Sequence, residues 1–277
     1  MKEEFYNYDY DEYPEDEHEE RDYKIDVAKE EFKSFFAKEN EEVFYLKQIQ
    51  VINEKKFYHW ITAKAINELE SIDEVLRSEE RTLIGKTRVK FFFNKNLRYY
   101  KRKINRNLEI IREYSNPDIS VASGRLAEVL FLNGFMKKNF IFRGENINKY
   151  KGKRWTETKH NLDFIIEKDD ITYGCEVKNK FEYIDRDELD LKVDICEELE
   201  VKPLIIMRQS PQSYNWERII QKGGYAMIFE YKILSLDQKK LVNKIRKYLS
   251  LPVDCPRAIP DGIIERFIRW HKKQKIM

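Results

Sequence analysis

The chain has 277 residues, of which 42% are hydrophobic and 37% charged, enough apolar material for one large or two modest domains under a highly ionic surface. No apolar run approaches the ~20 residues of a membrane span, and the N-terminus is acidic where a secretory leader is basic, so neither membrane insertion nor secretion is expected. The formal net charge of +2 hides an acidic block in residues 1–25 and a basic block in residues 86–106, an asymmetry that points to an acidic tail and a polyanion-binding stretch.

Residues 1–25 are acidic and tyrosine-rich with little apolar periodicity, and are expected to be disordered. The preferred reading is a solubilising tail; the other is a DNA mimic that fills the protein's own basic groove. Residues 26–52 read as two helices. Val27, Phe32, Phe35 and Phe36, then Val43, Phe44, Leu46 and Ile49, recur at helical spacing around a break at residues 38–40. Thr62 precedes another helical pattern with Ala65, Ile66 and Leu69 on one face, continued by Val75 and Leu76. Gly85 then separates two short β-rich runs, with a strand predicted over Arg88–Phe93. Helices followed by a small hairpin resemble a winged helix, which serves either DNA binding or protein contact.

A basic helix is predicted over residues 97–114. Arg98, Lys101, Arg102, Lys103 and Arg106 are interleaved there with Tyr99 and Tyr100, and Lys86, Arg88 and Lys90 precede them on the hairpin. Such cations neutralise phosphates, and such rings stack on bases. Asn116-Pro117 marks the next helix start, with Gly134 expected in its left-handed C-terminal position. This helix carries Arg125 and Glu128.

A strand is predicted at Phe140–Phe142, then a polar and basic loop over residues 144–159. The hairpin Leu162–Ile166 and Ile171–Val177 follows, joined by the charged connector EKDD. Asp163 stands inside its first strand. Glu176 and Lys178 share a face of the second, roughly 6.6 Å apart, while Val177 points into a core. Pairing of the strands brings Asp163 to Glu176 at an edge of the sheet, where two carboxylates repel unless a cation lies between them. Glu167, near the turn, is expected to be exposed and without a role.

Downstream, the pattern gives a helix at Leu189–Leu199, a buried strand at Leu204–Met207, and a helix at Tyr214–Lys222 ended by Gly223-Gly224. A strand at Tyr225–Leu234, a basic helix at Gln238–Leu249 and a last helix capped by Asp261 complete the chain. Cys175, Cys196 and Cys255 are widely spaced without a CxxC pair, which disfavours a zinc ribbon and suits a reducing cytoplasm. His18, His59, His160 and His271 form no ligand pair.

Asp163, Glu176-Val177-Lys178 and the preceding helix with Glu128 resemble the PD-(D/E)xK nuclease superfamily, the fold of many restriction endonucleases and Holliday-junction resolvases. The resemblance spans about residues 116–235, with Leu162 in place of the motif's proline. It implies an α/β fold with a restriction-endonuclease-like central mixed sheet flanked by helices, in the order αβββαβαβ. The expected organisation is an acidic tail (1–25), a winged-helix-like domain with its basic connector helix (26–115), a nuclease-like domain (116–250) and a helical extension (251–277). It also implies metal-dependent hydrolysis of DNA phosphodiesters. Asp163, Glu176, the Val177 carbonyl and Glu128 would hold Mg²⁺ or Mn²⁺, and Lys178 would orient or help deprotonate the attacking water. The basic residues Lys86, Arg88, Lys90, Arg98, Lys101, Arg102, Lys103, Arg106 and Arg125 are expected on DNA. No nucleotide cofactor is expected. A homodimer is expected, with the last helix, Ile263–Trp270, as one interface. The competing expectation is a non-catalytic DNA-binding or regulatory protein that works through the winged-helix-like domain.

Overall fold

Of the 277 residues, the computed structural model describes 23–72, 75–209 and 213–274. The expected tail therefore lies outside the described residues as far as residue 22. They form an α/β protein whose chain divides into two units. One runs to Asn116 and includes Lys244–Leu251; the other comprises Pro117–Asn243 and the chain from Pro252 onward.

The first unit contains α1 (Tyr23–Lys38), β1 (Val43–Tyr45), α2 (Leu46–Asn53), α3 (His59–Ile72), β2 (Leu76–Ile84), β3 (Thr87–Asn94) and α4 (Tyr100–Tyr114). Its antiparallel sheet has the order β1-β3-β2. Three consecutive phenylalanines, Phe91–Phe93, are all buried in the central strand. Side chains alternate across a strand, so this run demands cover on both faces. Phe92 joins Phe32, Phe36, Phe44 and Ile66 in one core, while Phe93 stacks on Tyr100 of α4 at 4.4 Å.

The described chain starts inside α1, where Ile25, Ala28, Phe32 and Phe36 are buried at helical spacing. Ile25 is thus part of the core and not of a tail. Val43 and Phe44, expected in a helix, form β1 with Tyr45, because a three-residue apolar run buried on all sides carries no period. Leu76 likewise leaves the helical pattern and opens β2 opposite Asn94. Helix α4 is fastened by Asn107 Nδ2 donating to the Val43 carbonyl and by the Tyr45 and Tyr114 hydroxyls at 2.6 Å. The returning segment 244–251 adds a Lys244–Glu113 pair at 2.7 Å and places the Arg106 guanidinium 4.4 Å from the Tyr248 ring centre.

The second unit begins with α5 (Pro117–Lys137), β4 (Ile141–Ile147) and the two-residue strands β5 (Lys149–Tyr150) and β6 (Lys153–Arg154). Then come β7 (Leu162–Lys168), β8 (Ile171–Lys178), α6 (Arg186–Glu198), β9 (Lys202–Met207), α7 (Ser213–Gln221), β10 (Tyr225–Ile228) and β11 (Lys232–Ile233). Helix α8 (Lys239–Lys244), a π-helical turn over Ile245–Leu249, β12 (Val253–Asp254) and α9 (Asp261–Gln274) close the chain. The main sheet has the order β10-β9-β8-β7-β4. Strands β4, β7 and β8 are antiparallel, whereas β8, β9 and β10 are parallel. The second sheet face packs against α6 and α7 through Ile165, Ile205, Cys196 and Val193. The first face buries Phe164, Tyr173 and Val177 against Phe131 of α5 and Phe267 of α9.

Four sequence expectations change here. Gly134 lies inside α5 and not at its end, because a side chain there would come within 3.3 Å of Ile264 on α9; the left-handed residue after the helix is Asn139. The expected loop over 144–159 holds most of β4 and the β5–β6 pair. The expected strand Tyr225–Leu234 is two strands, β10 and β11, in different sheets. The last helix docks on its own core through Ile263, Ile264 and Phe267, which removes this apolar face as a dimer interface. Among the described residues, no helix is long and apolar enough to cross a membrane.

Candidate active site and nucleic-acid surface

The carboxylates cluster where β7 begins and β8 ends, on inner strands of the sheet and not on an edge strand. The β7–β8 register runs from Lys168 opposite Ile171 to Phe164 opposite Cys175, and its continuation sets Asp163 beside Glu176. Asp163 Oδ2 accepts the Val177 N–H at 2.6 Å. Glu176 is buried, with 2% exposure. Its Oε1 lies 2.7 Å from Lys178 Nζ, and its Oε2 lies 2.7 Å from Lys192 Nζ in an ion pair that lacks hydrogen-bond alignment. Lys178 also reaches Glu188 Oε1 at 2.5 Å. Lys192 donates to the Asn161 carbonyl at 2.6 Å.

Glu188 and Lys192 are one turn apart on α6, so they share a face that meets the site. Close approach of α6 needs Gly174: a side chain there would collide with Cys196 and Val201. Beyond Lys178, buried Asn179 fixes the chain by donating to the Ser123 and Ile233 carbonyls and accepting the Ile233 N–H at 2.7 Å. The sequence reading missed Lys192, Glu188 and Asn179. The only available signal was Lys192 on the apolar stripe between Leu189 and Val193–Cys196.

Electrostatics separate these groups. Burial, then the Glu176 charge, pushes the Asp163 carboxyl up to about 7, against the pull of the Val177 N–H. Burial and Glu176 also raise Glu128, on α5, while Arg125 one turn earlier opposes them. Burial alone would lower Lys178, but Glu176 and Glu188 overcome it and hold the ammonium above its ordinary range. Burial alone would raise Glu188, yet Lys178 draws it down. The site therefore joins mutually repelling carboxylates to two lysines.

The fit of a divalent ion follows from these donors. Asp163 and Glu128 are hard oxygen ligands that already crowd negative charge, the chemistry that Mg²⁺ and Mn²⁺ prefer. Glu176, however, has an ammonium at each oxygen, and no three metal-ligating side chains converge as a ready set among the described residues. The donors fit in kind, but Glu176 would have to exchange an ammonium for an ion. Glu167 is not the idle carboxylate expected from sequence. Arg143 bonds it twice, at 2.7 and 3.2 Å, and holds its carboxyl at about 2.

The nine expected nucleic-acid residues fall into two sets. Lys90 pairs with Glu70 at 2.6 Å and Arg88 with Glu80 at 3.3 Å. Lys103 and Arg106 both pair with Glu42, at 3.1 and 3.0 Å. The structure thus engages these four cations internally. Lys86 at the β2–β3 turn, Arg125 on α5, and Arg98, Lys101 and Arg102 at the start of α4 are exposed, with no ion pair among the described residues. Comparison of the chain with protein-family models, curated proteins and solved structures found no match.

Proposed function

We propose that this protein is a metal-dependent DNA endonuclease. The observation that carries the reading is the meeting of Asp163, Glu176 and Lys178 at the end of two inner strands, with Glu128 electrostatically coupled to them. The three-stranded antiparallel run followed by parallel β9 supports a restriction-endonuclease-like core. In the first unit, the order α1-β1-α2-α3-β2-β3 with sheet order β1-β3-β2 supports a winged-helix-like module that targets DNA.

Asp163, Glu176, Glu128 and the Val177 carbonyl would hold Mg²⁺ or Mn²⁺, which when bound supplies Lewis-acid stabilisation and a more acidic water. The chain's own work is then as follows. The Val177 N–H orients Asp163. Lys178, held charged between Glu176 and Glu188, positions the attacking water and offsets phosphoryl charge. Lys192 holds Glu176 in place. A dimer would let two such sites cut both strands, through a surface other than the face of α9 buried in the core.

A second reading, a non-catalytic DNA-binding or regulatory protein, is favoured by one observation: both oxygens of Glu176 are already neutralised by lysines. Cleavage of single-stranded, duplex, nicked and four-way DNA with Mg²⁺ or Mn²⁺ decides between the two. Metal-dependent cutting that Glu176→Ala abolishes, with DNA affinity retained, supports the nuclease. Equal cutting by parent and Glu176→Ala, or none by either, leaves the binding protein as the better account.

A further inference from the structure

Two adjacent tyrosines at the start of α4 have opposite environments. Tyr100 is stacked on Phe93 at 4.4 Å. Tyr99 is 85% exposed, the most exposed of the large hydrophobic side chains described, and its backbone is left-handed at φ 60°. That conformation is unfavourable for a bulky residue, whereas asparagine or glycine takes it readily. Local folding therefore gives no reason for a large ring at this position.

The surroundings supply one. Arg98 precedes the ring, and Lys101 and Arg102 follow it, all exposed and without an ion pair among the described residues. One turn further along, Lys103 and Arg106 are tied to Glu42. Tyr99 also lines two open clefts. One, of about 500 Å³, is lined by Asn40, Asn96, Glu41 and Asn94, whose amide is already bonded to the Phe36 carbonyl and the Asn96 N–H, and the other, of about 420 Å³, is lined by Tyr100, Lys101 and Arg102. Volumes of this order accommodate small organic groups. Amides match the donor and acceptor edges of bases, cations match phosphates, and a bare ring offers a face for stacking.

We propose that Arg98, Tyr99, Lys101 and Arg102 form a stacking site for an unpaired nucleobase within a nucleic-acid strand. The inference rests on the nucleic-acid reading above and specifies the substrate class: single-stranded, flapped or branched rather than uninterrupted duplex. A base inside a duplex has both faces occupied by its neighbours and cannot meet the ring, whereas phosphate contacts with Arg98, Lys101 and Arg102 tolerate either form.

The test uses the full chain in EDTA, so that binding is measured without cleavage. Fluorescence anisotropy is recorded with labelled single-stranded DNA, single-stranded RNA, blunt duplex DNA and poly-glutamate. Tyr99→Asn suits the left-handed backbone and removes only the ring; Tyr99→Trp restores a stacking face. Tyr99→Asn is expected to weaken single-strand binding about tenfold, equivalent to 1.4 kcal/mol, and to leave duplex binding unchanged, with Tyr99→Trp recovering it. The ratio of the DNA and RNA arms identifies the strand. Unchanged single-strand affinity in Tyr99→Asn, an equal loss on duplex, or Tyr99-dependent binding of poly-glutamate would each overturn the site. Failure of the parent to bind any nucleic acid overturns this proposal together with the reading beneath it. Absence of cleavage alongside Tyr99-dependent binding overturns only the nuclease.

Discussion

The two ends of the β7–β8 hairpin treat their acidic groups in opposite ways. At the turn, Glu167 meets Arg143, with Tyr150 and Thr172 completing its hydrogen bonds, and its carboxyl is held at about 2. Beside it, the His271 ring bridges the Tyr173 hydroxyl at 2.7 Å and Asp169 at 3.1 Å. At the open end, Asp163 is crowded by burial and by Glu176, and its carboxyl rises to about 7. One end is satisfied by its own partners. The other concentrates like charge on strands that need none for packing, the kind of conflict that marks a candidate functional site.

Removing the centre of that conflict should have the largest effect. Glu176→Ala leaves Lys192, 6% exposed, without its counter-charge. It should cost about 3–5 kcal/mol of stability. Glu176→Leu combined with Lys192→Met should recover much of that loss, and urea denaturation of the single and double variants measures both. The exposed carboxylate Glu157, replaced by alanine, serves as the neutral control.

Asp163 gives the next effect, and it depends on pH. Its folded pKa of about 7 exceeds the ordinary carboxylate value, so its contribution is full below pH ~4 and disappears as pH rises towards 7. The loss should be on the order of 3 kcal/mol in metal-free protein. Asp163→Asn should flatten that part of the stability profile; a parent profile that is already flat between pH 4 and 7 would count against the crowded site.

At the turn end the effects are smaller. His271→Ala leaves the buried Tyr173 hydroxyl without its partner and a gap beside Phe140 and Phe267. About 2 kcal/mol should be lost, seen as a lower melting temperature with cleavage unchanged. Glu167→Ala breaks an ion pair whose arginine is 40% exposed, worth below ~1 kcal/mol. Because the Glu167 pKa is depressed, its contribution is present above pH ~4 and fades as pH falls towards 2, opposite in sense to Asp163. Acid titration of the two variants side by side tests the contrast.

The sequence made the hairpin legible because period two is a local property. A charged residue on an apolar strand stands out, and strand phase alone put Glu176 and Lys178 on one side and Val177 on the other. The start of α5 at Pro117 was equally local. Lys192 was hidden because its role depends on where α6 lies against β8, which no spacing within α6 reveals. Val43–Tyr45 was hidden for a similar reason: its strand exists through pairing with Phe91–Phe93, far along the chain. The basic stretch was legible as charge, but its division into cations with and without an ion pair among the described residues depended on Glu42, Glu70 and Glu80.

The return of residues 244–251 to the first unit also has a consequence for synthesis. A chain emerging from the ribosome at about 5–20 residues per second normally completes its N-terminal domain first. Here Glu113 and Arg106 wait for Lys244 and Tyr248, which follow residues 117–243 of the second unit. A fragment stopped at Asn116 lacks these partners, so no single cut divides the protein into its two units. The first unit to begin folding cannot finish until residues 117–243 of the second have been made.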